Sequence, residues 1–372
     1  MNILILTYLV YPFQSPRSFR SSELAIELAK KGHNVVMYAA LGQNEKELIS
    51  KKYFKERNVI LKNYKKTWFL KNSNLENNKE NILNKILIKL FHRLFYFPNI
   101  ELLFIIPKSL KFENNYDLLI SIASPHSVHW GAKRALKKNT NLTKKWIADC
   151  GDPFMGNKIL NPPLYFSPFE NSFLKKVDYV SVPIEEAKKS YNVKYQKKIH
   201  VIPQGFNFEN IKLYKKDINN KLPTFAYSGV IYNDYRDPTN FLKYLSEYKG
   251  DFKFIVYTKQ TAYFNQFKKT LKDKLVIKNY IPRDELLYEL SKMDFLINFE
   301  NVYSNQLPSK LIDYALTKRP ILSINNNDLN KEQIDNFIKG SYNDSIKINT
   351  SKYNIKIIAE SFINLALYGK IK

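Results

Sequence analysis

The sequence has few of the features that define several classes of protein. Cys150 is the only cysteine, so an internal disulfide framework is excluded and a reducing compartment is expected. No stretch approaches the roughly 18 uninterrupted apolar residues of a membrane-spanning helix. The ligand spacing of zinc domains, the aromatic RNA-binding signature and a basic region joined to heptads are all missing. These absences argue against disulfide-stabilised, membrane-spanning and nucleic-acid-binding classes.

Acidic residues are scarce. The sequence has 34 Asp and Glu residues but 59 Lys and Arg residues, which gives a formal charge of +25. Such a balance favours polyanionic partners, which include phosphorylated substrates, an anionic bilayer and nucleic acid. With 44% hydrophobic and 15% aromatic residues, the 372-residue chain can bury more than one core. Its length predicts two domains of roughly 150–200 residues each.

Basic and apolar residues are combined in one segment, residues 81–111. Basic side chains recur there at helical spacing among Ile, Leu and Phe, and the segment is interrupted at Pro98. The pattern is typical of an amphipathic helix in the interface of an anionic membrane, but a core-packed helix with a solvated basic edge would share it. We expect a cytoplasmic protein, soluble or peripheral at the inner face of the cell membrane. The basic residues of the stripe are Lys85, Lys89, His92 and Arg93.

Apolar runs alternate with helical patterns along the chain. The N-terminal run MNILILTYLVYPF lacks the basic region and cleavage site of a signal peptide, so it predicts a first buried strand. Strands separated by helices predict parallel, doubly wound α/β sheets, whose ligands bind at the carboxyl ends of the strands. We predict two Rossmann-like domains that meet near residue 210 and face each other across a cleft. The predicted strands cover residues 3–8, 34–40, 118–123, 146–148, 179–183, 225–228, 252–257, 275–277, 295–298 and 321–324, with helices at 21–31 and 127–137 among them.

Basic residues and histidines follow two predicted strands of the first half. Arg17 and Arg20 lie where the chain enters its first helix, and glycine is absent there, which excludes a dinucleotide-binding fingerprint. His126 and His129 lie at the start of the helix that follows the run 118–123. Their positions at the carboxyl ends of strands predict that these four residues line a ligand site.

Polar loops follow two further predicted strands. Asp149 and Asp152 stand beside a glycine after the run 146–148, and either a functional site or turn formation and helix capping explains them. In the second half, Gly229 ends a strand and Arg236 follows in the same loop. The Arg236 guanidinium suits a phosphate, with an ion pair to a neighbouring aspartate as the alternative.

The segment NQLPSKLIDYALTKRPIL, residues 305–322, predicts a short helix followed by a buried strand. Pro308 suits the first helical position, and the amides of that turn suit an anion such as a diphosphate. Ser309, Lys310 and Asp313 gather on one side of the helix. Lys310 suits phosphate oxygens, and Asp313 suits the vicinal hydroxyls of a ribose. An amphipathic helix with solvated charges is the alternative interpretation.

Five segments, taken in order, resemble a family-4-type retaining glycosyltransferase of the GT-B fold. They are RSSELAIELAKKGHNV, IADCGDP, VIPQGFN, YSGVIYNDYRDP and SNQLPSKLIDYALTKRPIL, and the resemblance covers essentially the whole chain. It implies a hexosyltransferase of cell-surface polysaccharide synthesis that uses a nucleotide-diphosphate sugar, a glycan or polyprenyl-linked acceptor and no cofactor. Residues 1–205 would bind the acceptor, residues 206–351 the donor, and residues 352–372 would form a helix that crosses back to the first domain.

The resemblance assigns donor roles to matching residues only. Asp313 matches the second acid of the family's paired-acid motif, whereas Asn305 replaces the first acid eight positions earlier. Ribose binding by Asp313 is therefore retained, without a charged partner at the first position. Arg236 matches one of the basic residues that hold the diphosphate, and Lys310 would replace the other. The predicted donor-binding residues are Gly229, Arg236, Asn305, Ser309, Lys310 and Asp313.

The resemblance places Asp152, or else Asp149, near the position that touches the reacting sugar or the acceptor hydroxyl. We expect either this carboxylate or the leaving phosphate to accept the acceptor proton, and basic residues to stabilise the departing diphosphate. D-x-D spacing is absent from the sequence, which argues against the metal-clasping type of glycosyltransferase, so no metal is expected. The predicted acceptor-binding residues are Arg17, Arg20, His126 and His129.

Two alternatives from other functional classes remain open. One is a nucleotide-sugar epimerase on the same two-domain fold. The other is a noncatalytic basic protein that binds a membrane or nucleic acid through its excess positive charge.

Overall fold

The structure is a computed structural model that describes residues 1–13, 15–41, 45–64, 90–157, 160–209, 211–231, 237–300, 309–325 and 327–371. The chain divides into two units. Met1–Asn207 and Lys352–Lys372 form the first unit, and Phe208–Ser351 forms the second. Each unit contains its own parallel sheet with helices around it.

The sheet of the first unit contains seven parallel strands within the described ranges. They are β1 (Asn2–Leu6), β2 (Asn34–Ala39), β3 (Val59–Asn63), β4 (Tyr116–Ala123), β5 (Thr143–Cys150), β6 (Tyr179–Val182) and β7 (Ile199–Val201). Their order is β3-β2-β1-β4-β5-β6-β7, so the direction of winding reverses between β1 and β4. The associated helices are α1 (Pro16–Lys30), α2 (Glu45–Lys55), α3 (Leu102–Ser109), α4 (Ser127–Lys138) and α5 (Ser167–Lys176).

The ends of α1 are encoded locally. The Ser15 side chain accepts a hydrogen bond from the Ser18 N–H at 3.2 Å, and Pro16 occupies the first helical position, where no N–H is required. Beyond the helix, Gly32 has a φ of +84°, the left-handed conformation that ends many helices. These signals mark the two ends of α1, whose N-terminal part carries Arg17 and Arg20.

The sheet of the second unit contains five parallel strands within the described ranges, in the order β10-β9-β8-β11-β12. They are β8 (Thr224–Ser228), β9 (Lys253–Tyr257), β10 (Leu275–Lys278), β11 (Phe295–Phe299) and β12 (Ile321–Ile324). The winding reverses between β8 and β11, and such a reversal is where ligands bind in open α/β sheets. The helices are α6 (Thr239–Glu247), α7 (Thr261–Leu271), α8 (Arg283–Leu290), α9 (Ser309–Leu316) and α10 (Lys331–Ile338).

The last helix, α11 (Ile355–Tyr368), packs in the core of the first unit. Its apolar face, which includes Ile358 and Phe362, joins the same buried cluster as Leu24 of α1. Gly205 lies against this helix, where an added Cβ would stand 2.6 Å from Ile355 Cδ1. The glycine therefore permits the close approach of the chain to α11.

The predicted doubly wound α/β architecture is confirmed. Helix α2 and strand β3 were not predicted. Of the predicted amphipathic segment, residues 81–89, with Lys85 and Lys89, lie outside the described residues, and residues 90–95 are helical. Among the described residues, no helix combines the length and the apolar character needed to cross a membrane.

Candidate functional site

The first candidate region lies at the carboxyl end of β8, beside the reversal of the second sheet. Gly229 follows this strand with a φ of +145° and donates its N–H to the Tyr257 carbonyl at 3.1 Å. Because that conformation is rare for residues with a Cβ, the position requires glycine. A Cβ at this position would stand 3.1 Å from the Tyr227 hydroxyl oxygen.

Lys310 of α9 reaches the same place. Its Nζ lies 4.4 Å from the centroid of the Tyr227 ring, and its Cδ lies 3.9 Å from the position of a Cβ added to Gly229. The Nζ atom is buried. An ammonium group that has lost contact with water gains strongly from a negatively charged ligand, so this lysine suits a phosphate at the end of β8.

Tyr314 explains why α9 holds Lys310 in this position. Its buried hydroxyl accepts a hydrogen bond from the Ser228 N–H at 2.7 Å and donates one to the Ser228 carbonyl at 3.2 Å. These bonds join α9 to the last residue of β8. Sequence reasoning missed Tyr314, although its place one turn after Lys310 was a usable signal.

Asp313 is held by an arginine that sequence reasoning also missed. Arg283, at the start of α8, donates from Nε and Nη2 to Asp313 Oδ1 at 2.9 and 2.7 Å. Burial raises the pKa of Asp313, and the guanidinium acts in the opposite direction. Among the described residues, Oδ2 of Asp313 accepts no hydrogen bond, so the carboxyl group is oriented by one oxygen and keeps the other for a ligand hydroxyl.

Three predicted donor-binding positions cannot be placed. Arg236 and Asn305 lie outside the described residues, and Ser309 is described by its backbone alone, as the first residue of α9. Gly229, Lys310 and Asp313 are the predicted positions that the structure places in the second unit.

The second candidate region lies in the first unit, where α1 meets the loop after β5. Arg17 Nη2 donates to Asp152 Oδ2 at 3.0 Å, and the two side chains are 20% and 34% exposed. The Arg17 guanidinium lies directly over Gly151: a Cβ added to this glycine would stand 1.6 Å from Arg17 Nη1. The absence of a side chain at Gly151 thus makes room for the ion pair of Arg17 and Asp152, which remains accessible to a polar ligand.

Arg20 and Asp149 form a buried pair behind it. Arg20 donates from Nε and Nη2 to the two Asp149 oxygens at 2.9 and 2.8 Å, and Ser181 Oγ donates to Oδ1 at 2.7 Å. Burial acts to raise the pKa of Asp149, but Arg20 and Ser181 outweigh it and hold the pKa below the usual value. Arg20 also donates to the Pro203 and Ile202 carbonyls, so it ties α1 to the segment after β7.

The two predicted histidines are buried at the first turn of α4. His126 Nε2 donates to the Asp152 carbonyl at 3.0 Å, whereas His129 contacts Ser121 Oγ through Nδ1 at 2.8 Å and Cys150 Sγ through Nε2 at 3.3 Å. Burial lowers the pKa of His126 to about 4 and that of His129 well below its usual value. Both imidazoles are therefore neutral near pH 7.

These positions correct part of the predicted site. The Arg20 and Asp149 side chains are each only 3% exposed, and His126 and His129 are buried, so direct contact with a substrate is not available to them in this structure. Their side chains bond to other protein atoms instead. Arg17 and Asp152 are the predicted residues of the first unit that a substrate can reach.

Solved glycosyltransferases share this architecture. A glycosyltransferase from Rickettsia africae ESF-5 aligns with a TM-score of 0.59 and 15% identity, over 98% of this chain and 93% of that chain. The lipopolysaccharide outer core galactosyltransferase WaaB, in its apo form, aligns with a TM-score of 0.58 and 13% identity, over 99% of both chains. HepE of Anabaena, in complex with UDP and glucose, aligns with a TM-score of 0.57 and 10% identity, over 98% of this chain and 97% of that chain.

The chain has the GT-B fold. The same GT-B fold is shared with an alpha-glucosyltransferase in complex with UDP and a 13-mer DNA containing an HMU base, at a TM-score of 0.55 and 12% identity over 98% of this chain and 95% of that chain. Identities this low establish the fold alone. No protein-family model and no curated protein matches the chain.

Proposed function

We propose that the chain is a hexosyltransferase-type glycosyltransferase that moves a sugar from a nucleotide-diphosphate sugar to a hydroxyl of a glycan or polyprenyl-linked acceptor in cell-surface polysaccharide synthesis. The observation that carries the proposal is the buried Lys310 ammonium beside Gly229, at the strand-order reversal of the second sheet. It occurs in a GT-B chain that matches HepE in complex with UDP and glucose almost end to end.

Residues 206–351 are the proposed donor domain. Lys310 binds the diphosphate, Gly229 lets the diphosphate approach the backbone, and Asp313 accepts hydrogen bonds from the ribose hydroxyls through Oδ2. Arg283 orients Asp313 for this contact. Arg236, Asn305 and Ser309 remain proposed donor contacts on the sequence alone.

Residues 1–205, with the helix at 352–372, form the proposed acceptor domain. Arg17 and Asp152 bind the acceptor there, supported by their exposure. In the proposed reaction, the bond between the sugar anomeric carbon and the diphosphate breaks and a bond to the acceptor oxygen forms. The acceptor proton passes to Asp152 or to the departing phosphate, and Lys310 stabilises the charge that develops on the diphosphate. We propose that no metal takes part and that the anomeric configuration is retained.

An anionic membrane surface is the proposed location of the acceptor. Residues 90–95 expose an apolar surface next to Arg93, in which Phe91 is 49% and Phe95 56% exposed. The Tyr165 hydroxyl donates to the Leu94 carbonyl, and Leu164, the residue before Tyr165, is exposed. Apolar side chains flanked by cations suit the boundary between headgroups and acyl chains.

The proposal is tested with a panel of nucleotide sugars. A matching donor raises the melting temperature of the chain, because a ligand that binds the folded state stabilises it. With that donor, release of nucleoside diphosphate and a new glycoside should both require an acceptor and continue in the presence of a chelator. NMR of the product then reports the anomeric configuration.

Three other outcomes would contradict the proposal. Conversion of the donor sugar without any acceptor would identify an epimerase. Absence of stabilisation and turnover with every donor, together with binding to anionic vesicles, would favour a noncatalytic membrane protein. Tight, sequence-independent binding to DNA would favour the nucleic-acid alternative, which the DNA-bound structure of the same fold makes worth including.

A further inference from the structure

Three potential metal ligands meet in the interior of the first unit. One ligand atom from each of His126, His129 and Cys150 lies within 4.8 Å of the other two, and all three side chains are buried. His126 is the residue before α4, His129 lies in the first turn of α4, and Cys150 is the last residue of β5. The sheet brings them together because β5 pairs with β4, the strand that precedes α4.

His126 carries an unexplained atom. Its Nε2 faces the Asp152 carbonyl, which only accepts, so Nε2 bears the proton and Nδ1 of the neutral ring carries a bare lone pair. That Nδ1 is buried and has no hydrogen-bond partner among the described residues. Buried polar atoms are nearly always satisfied, so an orphan nitrogen on an imidazole that belongs to this cluster of potential ligands indicates a missing ligand.

The two ring nitrogens of His129, like those of His126, have different surroundings. Nδ1 contacts Ser121 Oγ, which also accepts a hydrogen bond from Trp146 Nε1 at 2.8 Å, and Nε2 faces the Cys150 sulfur. Histidines that bind metals use one ring nitrogen for the metal and the other for a hydrogen bond that fixes the ring. The Asp152 carbonyl serves His126 in this way, and Ser121 serves His129.

We propose that His126, His129 and Cys150 form a binding site for zinc(II). Two imidazoles and a thiolate are ligands that zinc prefers, and in tetrahedral geometry such ligand atoms lie about 3.5 Å apart, so shifts of about 1 Å bring these atoms to three of the four positions around a zinc ion. Zinc binding displaces the proton of the Cys150 thiol, and this proton passes to solvent. The buried side chain of Tyr191 also interacts with the Cys150 thiol.

The zinc ion has a structural role. It joins the end of β5 to the first turn of α4 and, through His126, fixes the backbone of Asp152. Zinc therefore raises the melting temperature of the chain, because it binds the folded state. This role is separate from the proposed sugar transfer, since it is measured without donor or acceptor.

The test uses the full chain without a histidine tag, expressed in medium supplemented with zinc. Elemental analysis should find about one zinc ion per chain in the wild type, and Cys150→Ala should lower the affinity by about 100-fold or more. His200→Gln is the matched control, since His200 is a partly exposed histidine of the same unit, away from the cluster. It should keep the zinc.

Cobalt(II) provides a second measurement if Cys150→Ala does not fold. Cobalt added to the metal-free wild type should produce a thiolate-to-metal charge-transfer band, and His126→Gln, which keeps a donor for the Asp152 carbonyl but lacks the Nδ1 ligand, should weaken the binding. Equal zinc content in the wild type and Cys150→Ala, or cobalt binding without a thiolate band, would overturn the proposal.

Discussion

Arg20 and Asp149, which are 129 positions apart in the sequence, form a two-point ion pair in which each side chain is only 3% exposed. The pair joins the N-terminal part of α1 to β5 across the reversal of the first sheet. Because both side chains are buried, the charge on each is stabilised by its partner and not by water.

Arg20→Met should destabilise the first unit strongly. The substitution leaves the Asp149 carboxylate buried without its partner, which costs about 3–5 kcal/mol of unfolding free energy. Urea denaturation measures the loss. Lys144→Met is the control, because Lys144 pairs with Asp117 at the surface, where an ion pair contributes at most about 1 kcal/mol. Similar losses in the two variants would show that burial of the Arg20 pair has no energetic consequence.

Gly151→Ala should lower acceptor-dependent turnover without a large change in stability. The new methyl group occupies the position of the Arg17 guanidinium and displaces this flexible side chain from Asp152. We expect acceptor-dependent turnover to fall about 10-fold or more, as for a lost hydrogen bond between charged groups, with little change in melting temperature. Arg17→Gln should have the same effect. Acceptor-dependent turnover of the double variant should be no lower than that of either single variant. If the two losses of turnover multiply, Gly151→Ala acts through a contact other than the one with Arg17.

Lys310→Ala should weaken the binding of the nucleotide-sugar donor. Loss of a charge-assisted contact costs about 1.5–3 kcal/mol, which is about 10- to 150-fold in affinity. Calorimetry measures the change. Lys339→Ala removes an exposed lysine of the same unit and should leave affinity unchanged. Unchanged donor affinity in Lys310→Ala would remove the phosphate contact from the proposed site.

Glu170→Gln should change the dependence of stability on pH. Burial raises the pKa of Glu170 to about 7, so the folded chain holds this proton at pH values where the unfolded chain, with a pKa near 4.5, has lost it. Wild-type stability therefore falls as pH rises from 4.5 to 7, by up to about 3 kcal/mol, and is unaffected by this group outside that window.

The Glu170→Gln variant keeps an acceptor for the Met155 N–H but has no proton to lose. It should match the wild type near pH 4.5 and exceed it near pH 7 in urea unfolding with a chelator present. Glu185→Gln, at a side chain that is 68% exposed, is the control and should follow the wild type. A Glu170→Gln profile parallel to the wild-type profile would refute the raised pKa.

The exposed apolar surface at residues 90–95 should contribute to vesicle binding. Each half-exposed phenylalanine that enters the membrane contributes about 1 kcal/mol, so Phe91→Ser combined with Phe95→Ser should reduce partition into anionic vesicles about 10-fold or more. Val193→Ser changes a 78% exposed residue elsewhere in the same unit and should have no effect. Equal partition of both variants in sedimentation assays would exclude this surface.

Local signals in the sequence predicted much of the fold. The buried strands β1, β4 and β12 are largely apolar, and Gly32 marks the end of α1, although the predicted helix begins at residue 21 whereas α1 begins at Pro16. Strand β3 escaped prediction because it pairs on one side only, with β2, and alternates buried and exposed residues over a short span. Helix α2 buries only Ser50 and Phe54, which leaves little apolar periodicity to detect.

The candidate site was predicted less completely, and for a physical reason. Position after a strand identifies residues at the binding edge of a sheet but not their burial. Arg17 and Arg20 belong to the same turn of α1, yet one is accessible and the other is enclosed. Arg283 and Tyr314 were missed because their partners, Asp313 and Ser228, lie 30 and 86 positions away.

The sequence by itself determined the two α/β units, the strands that end at polar loops and the segment that carries Lys310 and Asp313, because these depend on apolar periodicity and local helix and turn signals. Tertiary structure decided which charges pair, which stay accessible and which side chains are enclosed. Those outcomes depend on contacts between strands and helices far apart in the chain, and the His126, His129 and Cys150 cluster exists only because β4 and β5 are neighbours.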